Sequence, residues 1–165
     1  MTSSNVPPTS DQKFEDPLEN YDPPNYEDPL EAALDSRAVS ELQAQPCEII
    51  SADTTVADAV GQLAHLHHAS LLIERDGKLV GMFTDRDLLD RVVLEYEACK
   101  DQPVSSVMTS DPVYVRETDS PAAVLAIMAV SGFRHVPVLA GDGAITGIVS
   151  PRRITEFLLE HSSPE

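Results

Sequence analysis

Apolar residues in this chain recur with two periods, and each change of period marks an element. Ile49-Ile50 reads as a short strand. Val56, Ala59, Val60, Leu63 and Leu66 share one face of a helix. That helix begins at Asp53-Thr54-Thr55, where Thr55 and Asp58 form a capping box. Ser70 to Glu74 is an apolar strand, Asp76-Gly77 a tight turn, and Leu79 to Phe83 the return strand of a hairpin. Asp85 to about Glu97 predicts a second helix with Leu88, Leu89, Val92 and Val93 inward.

The same order then repeats. Val113-Tyr114-Val115 reads as a strand, and Ser120-Pro121 as an N-cap followed by proline at the first helical position. Ala123 to Val130 is helix, His135 to Leu139 strand, Gly141-Asp142-Gly143 turn, Ala144 to Val149 strand and Arg152 to Glu160 helix. Gly81-Met82-Phe83-Thr84-Asp85-Arg86-Asp87 returns 66 residues later as Gly147-Ile148-Val149-Ser150-Pro151-Arg152-Arg153. The spacing also pairs Pro46 with Pro112, Asp76 with Asp142 and Gly77 with Gly143, and the first copy reads as one residue shorter between its helix and the next strand. Each unit is β-α-β-β-α and cannot cover its own sheet. The expectation is an α+β fold of two repeats, 37–100 and 101–165, packed as a pseudo-twofold pair whose facing sheets share one core.

Residues 1–36 differ. They are rich in Pro, Asp, Glu, Asn and Ser, and contain nine acidic residues against one base, Lys13. Such a stretch buries too little apolar surface to offset its ordering entropy, so a disordered acidic tail is expected. Leu30, Ala33 and Leu34, then Val39 and Leu42, share a helical face, which places the start of ordered chain near residue 30. Glu15-Asp16-Pro17-Leu18-Glu19 echoes Glu27-Asp28-Pro29-Leu30-Glu31. Between them, Pro23-Pro24-Asn25-Tyr26 has the PPxY form that WW grooves bind, set against the plainer reading of a solvated tail.

The net charge of −17 opposes phosphate-mediated nucleic-acid binding and adsorption to anionic membranes. No apolar run approaches the roughly 20 residues of a membrane helix, and the first residues lack a signal-peptide pattern. Cys47 and Cys99 have no metal or redox spacing and read as reduced thiols, so a cytoplasmic location is expected. His65-x-His67-His68 lacks a carboxylate or thiol at ligand spacing and suits a helix C-terminus, so no metal site is expected. No Gly-x-Ser-x-Gly, phosphate-cradling glycine loop or other catalytic grouping is present.

The duplicated order, the Val136-Pro137-Val138 strand and Gly81-Met82-Phe83-Thr84-x-x-Asp87 resemble a tandem pair of cystathionine-beta-synthase (CBS) domains, the Bateman module, over about residues 37–162. The resemblance implies a regulatory module that senses AMP, ADP, ATP or S-adenosylmethionine, acts on an attached or partner protein and often dimerises. It implies that Asp87 accepts hydrogen bonds from ribose hydroxyls and Thr84 contacts ribose or phosphate, with Gly81 and Met82 in the same motif.

Thr84 and Asp87 are equally a helix-start signal. However, Ser150-Pro151 starts the matching helix without an acid at N3, so Asp87 is not needed merely for that. Arg153 stands where the second copy's Asp would be and cannot accept from a ribose, so a site at Ser150/Arg153 is expected to be empty or changed in preference. By similarity to the gamma subunit of AMP-activated kinase, Arg134, His135 and Arg152, with His68, are phosphate candidates, against ordinary surface ion pairing. One family proline is absent from the first copy, where Leu71 is read at the position of Pro137. The expected function is a non-enzymatic sensor of an adenosine ligand, homodimeric, that signals to an unknown effector. The alternative is a ligand-free dimerising scaffold. An enzyme using the pair as its active site is a third reading.

Overall fold

The computed structural model describes residues 26, 28–42, 44, 47–65 and 70–162. The chain enters the fold through α1 (Pro29–Ser36). The Asp28 carboxylate accepts from the Leu30 N–H at 2.8 Å, and Pro29 brings its preset φ to the first turn. Ala33 on this helix is buried, so residues 29–36, which composition grouped with the tail, belong to the fold. Pro23 and Pro24 lie outside the described residues.

Two sheets follow. The first runs β1-β2-β3-β4, from β1 (Ile49–Ser51), β2 (Ser70–Arg75), β3 (Lys78–Thr84) and β4 (Thr109–Ser110). The second runs β5-β6-β7, from β5 (Val115–Arg116), β6 (Val136–Leu139) and β7 (Ile145–Val149). β1 and β2 are parallel, as are β5 and β6, with α2 (Val56–His65) and α5 (Pro121–Ser131) as their crossovers. Half of the expected capping box holds α2: Thr55 Oγ1 accepts from the Asp58 N–H at 3.1 Å, but the Asp58 carboxylate accepts from the Thr55 hydroxyl at 2.8 Å and not from its backbone N–H. Ser120 precedes α5 with no side-chain cap bond, and Pro121 alone marks the start. The strand expected at Val113–Val115 pairs only at Val115 and Arg116, and Val113 and Tyr114 are exposed.

Strand pairing corrects the alignment of the copies. Ile50 pairs with Ile73 and Val115 with Val138, so these positions correspond at a spacing of 65. Leu72 pairs with Met82 and Pro137 with Ile148, so the return strands correspond at 66. The extra residue of the second copy therefore sits in its hairpin turn and not between helix and strand. A turn absorbs an insertion, whereas one residue added ahead of a strand would reverse the face of every side chain in it. By the same register Leu72, not Leu71, occupies the position of Pro137. Asp76 and Gly77 both have positive φ, 54° and 72°, as a type I′ hairpin turn requires.

The helix expected from Asp85 to Glu97 is broken. α3 (Asp85–Asp87) passes into a π turn at Leu88–Val92, a 3-10 turn at Val93–Glu95 and α4 (Tyr96–Cys99). The wider i→i+5 turn changes the angular advance that a regular helical count assumes. Val92 is fully buried and Leu88 packs on the core, but Leu89 and Val93, expected inward, are 65% and 52% exposed.

The interior is two cores with a seam, not one shared core. The first holds Leu71, Ile73, Phe83, Val56 and Val92, and the second holds Val124, Val136, Val138, Val149 and Phe157 together with Ala33, Val39 and Leu42. The facing sheets meet at a small cluster of Leu72, Met82 and Ile148. Each core is closed by a 3-10 turn that precedes the other repeat in sequence. The turn Val39–Leu42 lies ahead of the first repeat, yet Val39 donates to Asp119 O at 2.8 Å and Ser40 to Glu117 O at 3.0 Å. The turn Val104–Ser106 lies ahead of the second, yet Val104 donates to Thr54 O at 2.7 Å and Ser105 to Ala52 O at 3.3 Å. Val39 and Val104 are each 0% exposed and correspond at the same spacing of 65.

Replacing either valine by alanine is expected to cost about 2 kcal/mol, because each deletes two methyl groups from a closed core. Urea denaturation measures this. A loss below about 0.5 kcal/mol for Val39→Ala would place its turn outside the cooperative unit.

Candidate functional site

β3 runs directly into α3 at Thr84, whose extended backbone makes it the N-cap. Thr84 Oγ1 accepts from the Asp87 N–H at 3.2 Å and donates to Asp87 Oδ2 at 2.8 Å, while the Thr84 N–H donates to the same oxygen at 3.0 Å. The other oxygen, Oδ1, accepts from the Thr109 hydroxyl at 2.7 Å and lies 3.4 Å from Arg91 Nη1. Asp87 is only 5% exposed, so a charge held this far from water needs these donors. Arg91 also donates to the carbonyls of Val107 and Met108, which fastens the inter-repeat segment to the same carboxylate.

Gly81 accommodates the Met108 side chain beside this approach. It pairs with Ser110 while Met82 pairs with Thr109, and a Cβ at residue 81 would run into the Met108 thioether. The glycine of the motif thus leaves room for the Met108 side chain beside β3, and β4 carries Thr109 to Asp87.

Beside this carboxylate opens a partly open cleft. The first repeat and the connecting segment contribute Met82, Thr84, Asp85, Arg86, Asp87, Thr109 and Pro112. The second contributes Phe133, Arg134 and His135, which follow the left-handed Gly132 cap of α5 (φ 66°). Arg134 Nη2 lies 3.9 Å from Asp85 Oδ2, across the boundary between repeats. His135 is held below its ordinary pKa of 6.5, chiefly by burial and then by the Arg134 charge, against an opposing effect of Asp85.

The structure therefore brings together Met82, Thr84, Asp87, Arg134 and His135 from among the residues singled out in the sequence, with Gly81 behind them as a packing residue. His68 lies outside the described residues. Arg152 does not line the cleft: on α6 (Pro151–His161) its Nε donates to Glu156 Oε1 at 2.9 Å. Arg153 donates to Glu156 Oε2 at 2.9 Å and shares a shallow groove with Glu41, Glu156 and Glu160. The Arg152 hydrogen bond and the two guanidinium charges hold the Glu156 carboxyl below its usual range. Ser150 precedes α6 with no side-chain cap bond. Thr109, Arg91, Asp85, Pro112 and Phe133 were not legible as site residues. Thr109 is joined to Asp87 by folding of the connecting segment, whereas Arg91 meets it as a local i,i+4 pair. Burial pushes the Cys47 thiol up, away from the thiolate a nucleophile needs. Among the described residues no three His, Cys, Asp or Glu are grouped as metal ligands, and no helix is long and apolar enough to cross a membrane.

The CBS domain profile matches residues 39–94 and 104–160, and the chain belongs to the CBS domain family with two copies of the domain. It is 31% identical over 123 residues to an uncharacterized 17.7 kDa protein of Acidianus ambivalens, covering 74% of this chain and 73% of that one. It is also 31% identical over 118 residues to the CBS domain-containing protein CBSCBSPB1 of Arabidopsis thaliana, covering 71% of this chain but only 22% of that protein. A CBS domain protein of Pyrobaculum aerophilum, solved in complex with AMP, shares the fold at a TM-score of 0.66, with 22% identity, 78% of this chain and 100% of that one covered.

The depressed His135 gives a pH dependence. Above pH 6.5 folded and unfolded chains both carry it neutral, and it leaves stability unchanged. Below 6.5 the unfolded chain takes up the proton first, so stability falls until the pH passes the folded value. Denaturation of wild type and His135→Asn between pH 7.5 and 5 is expected to show a shallower acid loss in the variant. An equal or steeper loss would remove His135 as the cause.

Proposed function

We propose that this chain is a regulatory CBS pair without catalytic activity of its own, and that its cleft takes an adenosine-containing ligand: AMP, ADP, ATP or S-adenosylmethionine. The observation that carries this reading is the meeting of Thr84 and Asp87 from one repeat with Arg134 and His135 from the other around one cleft. A carboxylate is an acceptor-only partner suited to a ribose diol, and a guanidinium suits a phosphate. Met82, Pro112 and Phe133 offer apolar surface for a base. The Pyrobaculum protein's AMP complex supports the choice of ligand class.

Ribose binding would exchange partners at Asp87. Its Oδ1 is held by Thr109 and Arg91, both of which fasten the segment joining the repeats. A diol that takes their place loosens that segment, and this is how occupancy would alter the relation of the repeats and reach a separate effector. Such a shift requires the ligand to bind one arrangement better than the other.

Calorimetry with AMP, ADP, ATP and S-adenosylmethionine tests the reading. Wild type is expected to bind at least one, and Asp87→Ala to weaken it tenfold or more, about 1.4 kcal/mol. Because Asp87 also caps α3, Arg134→Gln serves as a second variant outside that network. Absence of binding by every adenosine compound at millimolar concentration ends the proposal.

A second reading has its own observation. Asp87 is already satisfied by protein donors, and an apolar row of Leu89, Val93 and the 94% exposed Leu94 stands uncovered on the segment after it. In this reading the pair is a dimerising scaffold and the carboxylate a structural hub. Leu94→Glu is expected to shift sedimentation from dimer to monomer, with or without nucleotide. An unchanged sedimentation coefficient would exclude this row as the contact.

A further inference from the structure

The motif's first variable position, Asp85, is not used by the ribose assignment, yet it stands in the cleft. Its side chain is 56% exposed, in contrast to the enclosed Asp87, and both of its oxygens are directed. Oδ1 accepts from the Arg86 N–H at 2.9 Å, and Oδ2 faces Arg134 at 3.9 Å. The carboxylate therefore sits opposite the guanidinium that a ligand phosphate would use. His135 adds little positive charge near neutral pH, because burial and Arg134 depress its protonation. The cleft thus opposes a fixed negative charge to Arg134, with Arg86 as the second guanidinium in its lining, in a protein whose net charge is already −17.

We propose that Asp85 is a specificity-determining residue that selects adenosine ligands of low phosphate charge by competing with phosphate for Arg134. This rests on the adenosine reading of the cleft given above. The electrostatics set the sign. A phosphate that pairs with Arg134 sits near the Asp85 carboxylate and competes with it for the guanidinium. Repulsion from one fixed charge grows with the charge of the ligand, about −2 for AMP and about −4 for ATP near neutral pH, while uncharged adenosine feels none. Exposure and salt screen the interaction, so the effect is graded and not absolute.

Asp85→Asn removes the charge, keeps the shape and retains an oxygen for the Arg86 N–H. Titration calorimetry without magnesium would compare adenosine, AMP and ATP on wild type, Asp85→Asn and the charge-retaining Asp85→Glu. The expected result for Asp85→Asn is unchanged adenosine affinity, a gain of roughly twofold for AMP and roughly fivefold for ATP, with Asp85→Glu near wild type. Raising salt should shrink the ATP gain. An equal change for all three ligands, or no change, overturns the selector role while the nucleotide cleft stands. If wild type and Asp85→Asn both fail to bind any of the three, the adenosine reading itself falls, and this proposal with it.

Discussion

The two repeats are held in one structure by an exchange of closing segments. Val39 and Val104 are equivalent residues, each fully buried in the repeat that its own segment does not directly precede. An open face of either core would leave apolar side chains and the carbonyls of Ala52, Thr54, Glu117 and Asp119 without their partners. Neither repeat can therefore be completed from its own β-α-β-β-α unit. The pair is the folding unit because the chain needed to finish one half is anchored next to the other.

The same exchange builds the candidate site. The segment that closes the first core continues as β4, and β4 carries Thr109 onto Asp87. Gly81 makes room for Met108, Arg91 holds the carbonyls behind it, and the carboxylate becomes the common acceptor of a helix cap and an inter-repeat connection. A group with both roles is well placed to convert occupancy into a change between repeats, since a ligand that recruits the carboxylate competes with the connection. The cleft beside it takes its opposing wall from the second repeat, so it exists only when the two halves are assembled.

The second copy repeats the scaffold without this arrangement of side chains. Ser150-Pro151 begins α6 through the preset φ of proline, and Arg153 turns to Glu156 near Glu41 and Glu160. Glu156 accepts from both Arg152 and Arg153, and Glu41 pairs with Arg37, so these helix-surface charges are matched locally in a strongly acidic protein. The asymmetry is therefore physical as well as sequential: one motif ends in an enclosed carboxylate beside a cleft, the other in an ion pair on a helix surface.

Local signals determined much of this protein. The Thr55/Asp58 cap, the Asp76-Gly77 turn, the apolar hairpin strands and the repeated motif each act within a few residues, so the two α+β units and the prominence of Thr84 and Asp87 were legible from the chain alone. Other features depend on which segments meet. The π turn that exposes Leu89 and Val93 breaks the helical count on which their inward placement rested. The true offset of the repeats follows from cross-strand register, which a one-residue difference in a turn conceals. Thr109, 22 positions from Asp87, and Asp85 facing Arg134 are pairings between distant segments, as is the exchange of closing turns. Periodicity and caps specify elements because their forces are local, whereas the site is a product of long-range packing, and only the tertiary structure decided it.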